Sequence, residues 1–217
     1  MKNLLLIHCI AFLFSCSKTP TESHFSEAAY NMKIDLKWMT PDFAVPAYAH
    51  VTLIYGMVHA KDTFLWKPGL MATEGLRNIA ENGGFQNMSI EIDSIIARHK
   101  ALFKFFILPP AITGSAQTVL NVNSNYSFVS FASMIAPSPD WFMGIHDFNL
   151  LQDDHWITDT TLKIYVYDAG TKQGNAFDYN FPATVPRESI ILIGPASVFA
   201  NNNPAVTNIG TLRLTRL

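Results

Sequence analysis

Cysteine is almost absent from this chain, and its two cysteines, Cys9 and Cys16, both lie near the start. No cysteine follows Cys16, so the rest of the chain can form neither a disulfide bond nor a thiolate metal site. A domain without such cross-links depends on its hydrophobic core. Roughly 190 residues are ample for one domain that buries about 70 % of the surface of its unfolded chain.

The sequence also lacks a strong charge of either sign. Its 15 Lys and Arg residues nearly balance its 17 Asp and Glu residues, and no basic run stands out. Nucleic acid is therefore not a predicted partner. There is no internal repeat, no low-complexity linker and no second composition, so one domain is the economical interpretation.

The first residues are typical of a secretory signal. Lys2 supplies a positive charge, residues 4–14 are almost entirely apolar, and the small residue Ser15 precedes Cys16. An apolar stretch of about 7–15 residues after a basic start indicates a cleavable signal, since a membrane span needs about 20 apolar residues. The alternative is an N-terminal core helix, which the polar stretch 19–26 would separate from the domain.

The residues around the expected cleavage point resemble the lipobox of bacterial lipoproteins, Leu13-Phe14-Ser15-Cys16. In that family the cysteine is diacylated and becomes the new N-terminus, and two acyl chains anchor stably. Phe14 departs from the small or β-branched residue usual at its place. Ser17 is not the aspartate that retains such proteins at the inner membrane, so the resemblance implies the outer membrane. The expected organisation is a signal peptide at 1–15, lipidated Cys16 with a polar tether at 16–28, and one domain at 29–217.

Most of the remaining chain is typical of short strands. Residues 30–38 alternate apolar and polar side chains at period two, the pattern of a half-buried strand. Other segments are rich in Phe, Val, Ile, Tyr and Thr and are bounded by Pro, Gly or Asn. The further predicted strands are 102–108, 126–135, 162–167, 189–193 and 210–214.

Two segments predict helices. Residues 73–82 begin with the N-cap residue Thr73 and end at Gly83-Gly84, and residues 89–100 begin with Ser89 and place isoleucines near helical spacing. We therefore predict an all-β protein. The predicted architecture is an antiparallel β-sandwich of two packed sheets with one or two short helices in connections.

Two acidic loops follow predicted strands. Pro137 and Pro139 cannot continue a sheet ladder, so Asp140 should lie on a stiff loop at the end of a sheet. Asp168 and the glycine-containing stretch after it follow the strand 162–167. The two loops can therefore converge on one rim of the sandwich.

These loops and the features before them resemble the spondin domain, the N-terminal module of F-spondin and mindin that also occurs in bacterial proteins. The resemblance covers residues 30–193 and implies a sandwich related to C2 domains. The matching features, in family order, are Trp38, His50, His59, residues 66–69, residues 72–75, Ser-Pro-Asp-Trp at 138–141 and Asp-Ala-Gly-Thr at 168–171.

The resemblance also implies a metal site and a role. Animal members bind calcium at the rim of the sandwich and act in matrix and cell-surface recognition, and the family's calcium carboxylates match Asp140 and Asp168. A third acid usually follows in the pattern Asp-Ala-Gly-Thr-Asp-x-Gly, where this chain has Lys172. Calcium takes six to eight oxygen ligands and binds less tightly as ligand charge is lost.

Three interpretations of the acidic pair stay open. In the first, the Lys172 ammonium replaces the ion and pairs with Asp140 and Asp168. In the second, Lys172 points to solvent and a weaker calcium site survives on two carboxylates, backbone carbonyls and water. In the third, all three are ordinary solvated loop residues.

Other candidate residues have simpler explanations. Asp153, Asp154 and Asp159 either extend the acidic rim or form a solvated loop, which is favoured, and Trp141 and Trp156 are core residues more often than exposed anchors. No histidine pair has helical or tight loop spacing, so we predict no zinc site. The histidines considered are His50, His59, His146 and His155.

The sequence thus predicts a non-catalytic module, an outer-membrane lipoprotein that binds an unknown protein or glycan at the cell envelope. Its membrane contact is the lipid anchor, and calcium is the only expected cofactor. Neither Ser115 nor Ser138 has the glycine pattern of a nucleophile elbow, so no enzyme is predicted. The alternatives are an envelope hydrolase that uses Asp140 and Asp168 as an acid pair, and a purely structural envelope protein.

Overall fold

The computed structural model describes residues 25–194, 197–200 and 208–217. The predicted signal and the lipidation residue Cys16 lie outside the described residues. A strand begins at Glu27, within the segment 16–28 expected to be a tether. No helix in the described part of the chain is long and apolar enough to cross a membrane.

Strands dominate, and two helices interrupt them. In chain order the elements are Glu27–Lys37 (β1), His50–Val51 (β2), Ile54–His59 (β3), Glu74–Asn82 (α1), Gln86–Ala97 (α2), Ala101–Ile107 (β4), Thr113–Asn123 (β5), Phe128–Ala136 (β6), Trp141–Asn149 (β7), Leu151–Gln152 (β8), His155–Trp156 (β9), Asp159–Asp168 (β10), Ile191–Leu192 (β11) and Gly210–Arg216 (β12).

The main sheet is antiparallel and runs in the order β4-β3-β6-β7-β10-β12-β1-β5. Strand β10 belongs to both halves of this order, since its residues 165–168 pair with β7 and its residues 159–164 pair with β12. The sheet folds over at this strand, and the two halves face each other across one core. This confirms the predicted antiparallel β-sandwich.

Strand β1 shows why the halves pack together. Tyr30, Met32, Ile34 and Leu36 alternate along it and are all buried, as the period-two pattern predicts. They belong to one cluster with buried residues of the opposite half such as Phe131. Each large apolar side chain buried in this way contributes about 1.5–3 kcal/mol before conformational entropy is counted.

The helices form a third layer on the outer face of β3, β6 and β7. Leu76 of α1 and Met88 and Ile92 of α2 are buried in a second cluster that includes Trp66 and Phe142. Because both faces of β3 are covered, all six of its residues are buried and its sequence does not alternate.

The first helix is capped as predicted. The Thr73 side chain accepts a hydrogen bond from the Leu76 backbone N–H at 3.2 Å, and Gly83 ends the helix at a left-handed φ of 72°. The second helix begins at Gln86, so the predicted start at Ser89 is wrong. The Ser89 hydroxyl lies within the helix and accepts a hydrogen bond from Lys104 Nζ at 2.8 Å.

The strands that differ from the sequence prediction include β11, β5 and β7. The segment 189–193 contributes only the two residues of β11. Strand β5 was not predicted because Gly, Ser, Ala and Gln in its first half and Asn in its second half interrupt the β-branched and aromatic residues that mark strands. Strand β7 was not predicted because its N-terminal half is buried on both faces and lacks alternation.

Gly144 on β7 gives a test of how the helical layer joins the sheet. A Cβ atom there would lie 2.3 Å from the Phe131 carbonyl oxygen and 2.8 Å from the Trp66 ring, and that carbonyl accepts the Trp66 indole N–H at 2.9 Å. We expect Gly144→Ala to lower the free energy of unfolding by about 3 kcal/mol, because backbone and indole must both move. Urea denaturation measures the change.

Gly194→Ala is the matched control, since a Cβ atom at Gly194 would meet nothing within 4 Å. Its unfolding midpoint should match that of the unchanged protein. Equal unfolding curves for both variants would contradict the close packing described for Trp66.

Candidate functional site

The structure brings the two acidic loops to the same end of the sheet. Asp140 is the last residue of the proline turn between β6 and β7, and Asp168 is the last residue of β10. Trp141 and Asp168 are directly opposed across the β7–β10 pair. The turn before Asp140 is held by the Ser138 hydroxyl, which accepts a hydrogen bond from the Trp141 backbone N–H at 3.1 Å.

Asp140 is fully buried, and its carboxylate accepts hydrogen bonds from the loop that follows Asp168. Its Oδ2 accepts hydrogen bonds from the Thr171 backbone N–H at 2.6 Å, the Thr171 hydroxyl at 3.0 Å and the Lys172 backbone N–H at 2.9 Å. Hydrogen bonds to a charged acceptor are stronger than neutral ones. Asp140 therefore fixes the position of the loop 169–172.

The other carboxylate oxygen of Asp140 has no such support. Oδ1 is buried and has no hydrogen-bond partner among the described residues. Burial raises the pKa of Asp140, while the hydrogen bonds from Lys172 and Thr171 act in the opposite direction. A buried carboxylate oxygen without a hydrogen-bond partner lowers the stability of the folded state. The same oxygen is available to coordinate a cation.

Asp168 is partly buried beside Asp140, and its Oδ1 accepts the Gly170 backbone N–H at 2.7 Å. Burial, and after it the charge of Asp140, raises the pKa of Asp168 to about 6. Two neighbouring carboxylates repel each other when both are ionised. A cation near both would remove that repulsion.

Lys172 does not supply the missing positive charge. Its Nζ donates to the Tyr179 carbonyl oxygen at 2.9 Å, in an exposed position. The first interpretation, in which the Lys172 ammonium pairs with Asp140 and Asp168, is therefore wrong. The third is also wrong, because Asp140 is not solvated. The second interpretation needs a Lys172 side chain directed away from the acids, which is the direction observed; calcium binding itself stays a prediction.

A cavity of about 440 Å³ lies beside the pair and is lined by Asp168, Gly170, Lys172 and Glu188 together with neighbouring loop residues. Gly170 makes the close approach of the second loop possible. It has a φ of 69°, and a Cβ atom there would lie 2.3 Å from the Glu188 carbonyl oxygen. The Glu188 backbone N–H donates to the Gly170 carbonyl oxygen at 2.9 Å. Asp140 is not part of the lining.

The donor set fits calcium better than zinc. No group of three or more His, Cys, Asp or Glu side chains within the described ranges is arranged to hold a metal ion. Asp140 and Asp168 are two oxygen donors, and calcium accepts backbone carbonyl and water oxygens for the rest. The orphaned Oδ1 of Asp140 is the observation that favours a cation at this place.

The other sequence candidates are not part of this site. His59 is a buried core histidine whose Nδ1 and Nε2 lie 2.9 Å from the Ala60 carbonyl oxygen and 2.8 Å from the Ser130 hydroxyl, and burial lowers its pKa. Asp159 pairs with Arg213 at 2.7 Å. Asp153 and Asp154 form the exposed β8–β9 turn, as the loop interpretation predicted.

The two tryptophans also have structural roles. Trp141 is buried in the main core and meets Phe177 edge-on, with ring centroids 5.4 Å apart. Trp156 is half-buried and donates its indole N–H to the Ser26 hydroxyl at 3.1 Å. Neither is an exposed anchor.

Sequence reasoning missed two parts of the site. The first is the pair of backbone N–H groups of Thr171 and Lys172, which donate hydrogen bonds to Asp140. Gly170 in the same loop is the sequence signal that could have indicated such backbone contacts. Glu188 lies on a different loop and has no local sequence signal. Only the approach of that loop to Gly170 reveals it.

The structure defines a β-sandwich module with an acidic rim: a buried acid binds a glycine-containing loop at one end of an antiparallel sandwich that has an outer helical layer. The Spondin_N family model matches residues 28–206. The chain belongs to the spondin N-terminal domain family, as the resemblance in its motifs implied.

Individual relatives agree with this assignment. The chain is 31% identical to Spondin-2 of Homo sapiens over 177 residues, which cover 78% of this chain and 54% of that protein. It is 30% identical to Spondin-2 of Rattus norvegicus over the same shares. It is 31% identical to Spondin-1 of Gallus gallus over 147 residues, 65% of this chain and 18% of that protein. The chain thus spans about half the length of the Spondin-2 proteins that it matches.

The raised pKa of Asp168 predicts a measurable pH dependence. The folded protein holds this proton more tightly than the unfolded chain, so its stability should fall as pH rises from 3.8, the ordinary value, to about 6. Without added calcium, Asp168→Asn should remove that fall. It should raise the free energy of unfolding at pH 7 by about 1–2 kcal/mol, less than the whole shift implies because the carboxylate is partly exposed.

Urea unfolding of the unchanged protein and of Asp168→Asn between pH 4 and pH 7.5 measures this difference. The contribution of His59 to the pH dependence cancels in the comparison, because both proteins contain His59. Asp153→Asn, in the exposed turn, is the control and should follow the unchanged protein. A stability difference between Asp168→Asn and the unchanged protein that does not vary with pH would contradict the assignment.

Proposed function

We propose that this chain is an exported, lipid-anchored and non-catalytic binding module of the cell envelope, whose rim binds calcium through Asp140 and Asp168. The observation that carries the calcium site is the buried Asp140 Oδ1, which has no partner among the described residues. The basic, apolar start and the lipobox-like residues before Cys16 support export and anchoring. Family membership fits an extracytoplasmic role.

Calcium at this place would stabilise the rim. When bound, the ion supplies two positive charges that offset the repulsion between Asp140 and Asp168. The chain's own residues do the rest: the Asp140 carboxylate fixes the loop 169–172 through its Oδ2, and Gly170 brings the Glu188 loop against it. Lys172 in place of a third acid lowers the expected affinity.

The geometry supports binding over catalysis. A hydrolytic carboxylate must reach its substrate, but Asp140 is buried and is absent from the cavity lining. The half-exposed Tyr179, whose carbonyl holds Lys172, offers an amphipathic ring at the edge of the same rim. A rim of loops with an exposed aromatic residue suits a protein or glycan ligand.

One observation favours the hydrolase alternative. The pKa of Asp168 is raised to about 6, chiefly by burial, and Asp168 shares its cavity with Glu188. Two acidic residues therefore line one space, and Asp168 keeps its proton up to about pH 6. Bound calcium would lower the pKa of Asp168 and remove this acid. Hydrolysis of envelope glycans that is lost in Asp168→Asn and inhibited by calcium would support the alternative.

Calcium binding is tested by thermal unfolding of the purified protein with and without calcium. We expect calcium to raise the Tm of the unchanged protein and to raise that of Lys172→Asp further, because the variant adds an oxygen ligand and removes a positive charge. Lys172→Ala separates these effects and should fall between them. Asp168→Asn should show no calcium response, and the response should weaken below pH 6 as Asp168 takes up its proton.

Magnesium at the same concentration is the control ion, since it demands smaller and more regular coordination than calcium. The absence of a calcium shift in both the unchanged protein and Lys172→Asp would refute the site.

Membrane attachment is tested by fractionation of cells that express the full chain. Cys16→Ala should move the protein from the membrane to the soluble fraction, because the acylated residue is lost. Cys9→Ala, within the apolar stretch, is the matched control and should leave it in the membrane. A Cys16→Ala protein that stays with the membrane would show that the anchor is wrong, while export could still be right.

A further inference from the structure

Strand β5 forms an open edge of the sandwich. It pairs with β1 along its whole length, in unbroken register from Glu27 opposite Asn123 to Lys37 opposite Thr113. It is also the last strand in the order of the main sheet. In the described part of the chain, no strand pairs with its other side.

Two hydrogen bonds show which backbone groups face that open side. The Ile112 carbonyl oxygen accepts the Trp38 N–H at 3.0 Å, and the Ser124 N–H donates to the Ser26 carbonyl oxygen at 2.9 Å. Backbone direction alternates along an antiparallel strand, so the even-numbered residues of β5 face β1. The residues whose N–H and C=O groups face outward are Thr113, Ser115, Gln117, Val119 and Asn121.

The residues of β5 do not themselves protect this edge, although β4 of the facing half-sheet lies close to part of β5. Natural edge strands are usually blunted by charge, proline, a bulge or short length. The eleven residues of β5 include no charged residue and no proline, and their register with β1 has no shift. The opposite edge strand, β4, is shorter and carries Lys104 bound to Asp93 of α2, and its register with β3 shifts at Val58/His59.

We propose that β5 is a self-association edge, which pairs antiparallel with β5 of a second copy of this chain and joins the two sheets. Such pairing about a two-fold axis sets the strand against itself, so any charge near its centre would face its own copy. The composition of β5 avoids this. With Gln117 on the axis, it faces the partner's Gln117, and Ser115 faces the partner's Val119.

The dimer should be reversible and concentration-dependent. Pairing along one strand edge buries less surface than a standard stable interface. The proposed lipid anchor would favour it, because attachment to one membrane raises the effective concentration of each copy for another. The inference itself does not depend on the calcium site.

Cross-linking of the full chain in membranes tests the pairing in place. Gln117→Cys adds a thiol at the proposed axis, and Thr161→Cys, on the same solvent-facing side of the sheet but on β10, is the matched control. Both retain Cys9 and Cys16, so any background is shared. A short thiol cross-linker should give a dimer with Gln117→Cys only. No dimer, or equal dimer from both variants, would overturn the proposal.

Charge variants test whether β5 pairs with β5 of a second copy. In sedimentation velocity of the purified full chain, Gln117→Lys and Gln117→Glu should each weaken dimerisation at least tenfold, and an equal mixture should recover it. Thr161→Lys should dimerise like the unchanged protein. A monomeric unchanged protein at all concentrations, or single variants that dimerise normally, would overturn the proposal, as would a mixture that does not recover. Equal thermal unfolding of all variants confirms that they fold.

Discussion

The rim of this sandwich depends on one carboxylate. Asp140 is buried at the end of a proline turn, and its Oδ2 accepts three hydrogen bonds from Thr171 and Lys172. Without that acceptor, the loop after Asp168 would keep only the backbone hydrogen bond from the Ala169 N–H to the Asp140 carbonyl oxygen as its bond to the β6–β7 turn. The Glu188 loop, which lies on Gly170, would rest on a less firmly held neighbour. One oxygen of this carboxylate accepts these hydrogen bonds, and the other has no partner among the residues that the structure describes. A single residue thus holds the rim together and carries the oxygen at which we propose a cation.

The remainder of the fold supplies a stiff platform for this rim. Two facing half-sheets and an outer helical layer cover β3 and the N-terminal half of β7 on both sides, so the strands that lead to the rim are held from two directions. Trp66 joins the layers through its hydrogen bond to the Phe131 carbonyl oxygen. The absence of cysteine after Cys16 is therefore compatible with an ordered domain: close packing supplies what disulfide bonds would otherwise contribute.

Local patterns in the sequence predict much of this architecture, and contacts distant in sequence account for the rest. The alternation along β1, the Thr73 cap and the proline turn before Asp140 are local signals, and the structure agrees with each. Motif resemblance placed Asp168 beside Asp140. The direction of the Lys172 side chain was not predictable, because it depends on the Tyr179 carbonyl, and Glu188 reaches the site only through tertiary folding. Burial of Asp140 was missed because acids in loops are usually solvated.

The strand registers place the two ends of the domain far apart. Asp159, at the start of β10, lies opposite Thr215, and Tyr30 near the start of β1 lies opposite Arg216, so both strands start at one end of the sandwich. Asp168 is nine residues further along β10, about 30 Å at the usual rise per residue. With an anchor before β1, a ligand held at the rim would pull along the strands. The hydrogen bonds on both sides of β1 would then resist in shear, together rather than one by one, which is the mechanical arrangement that suits a tether under tension.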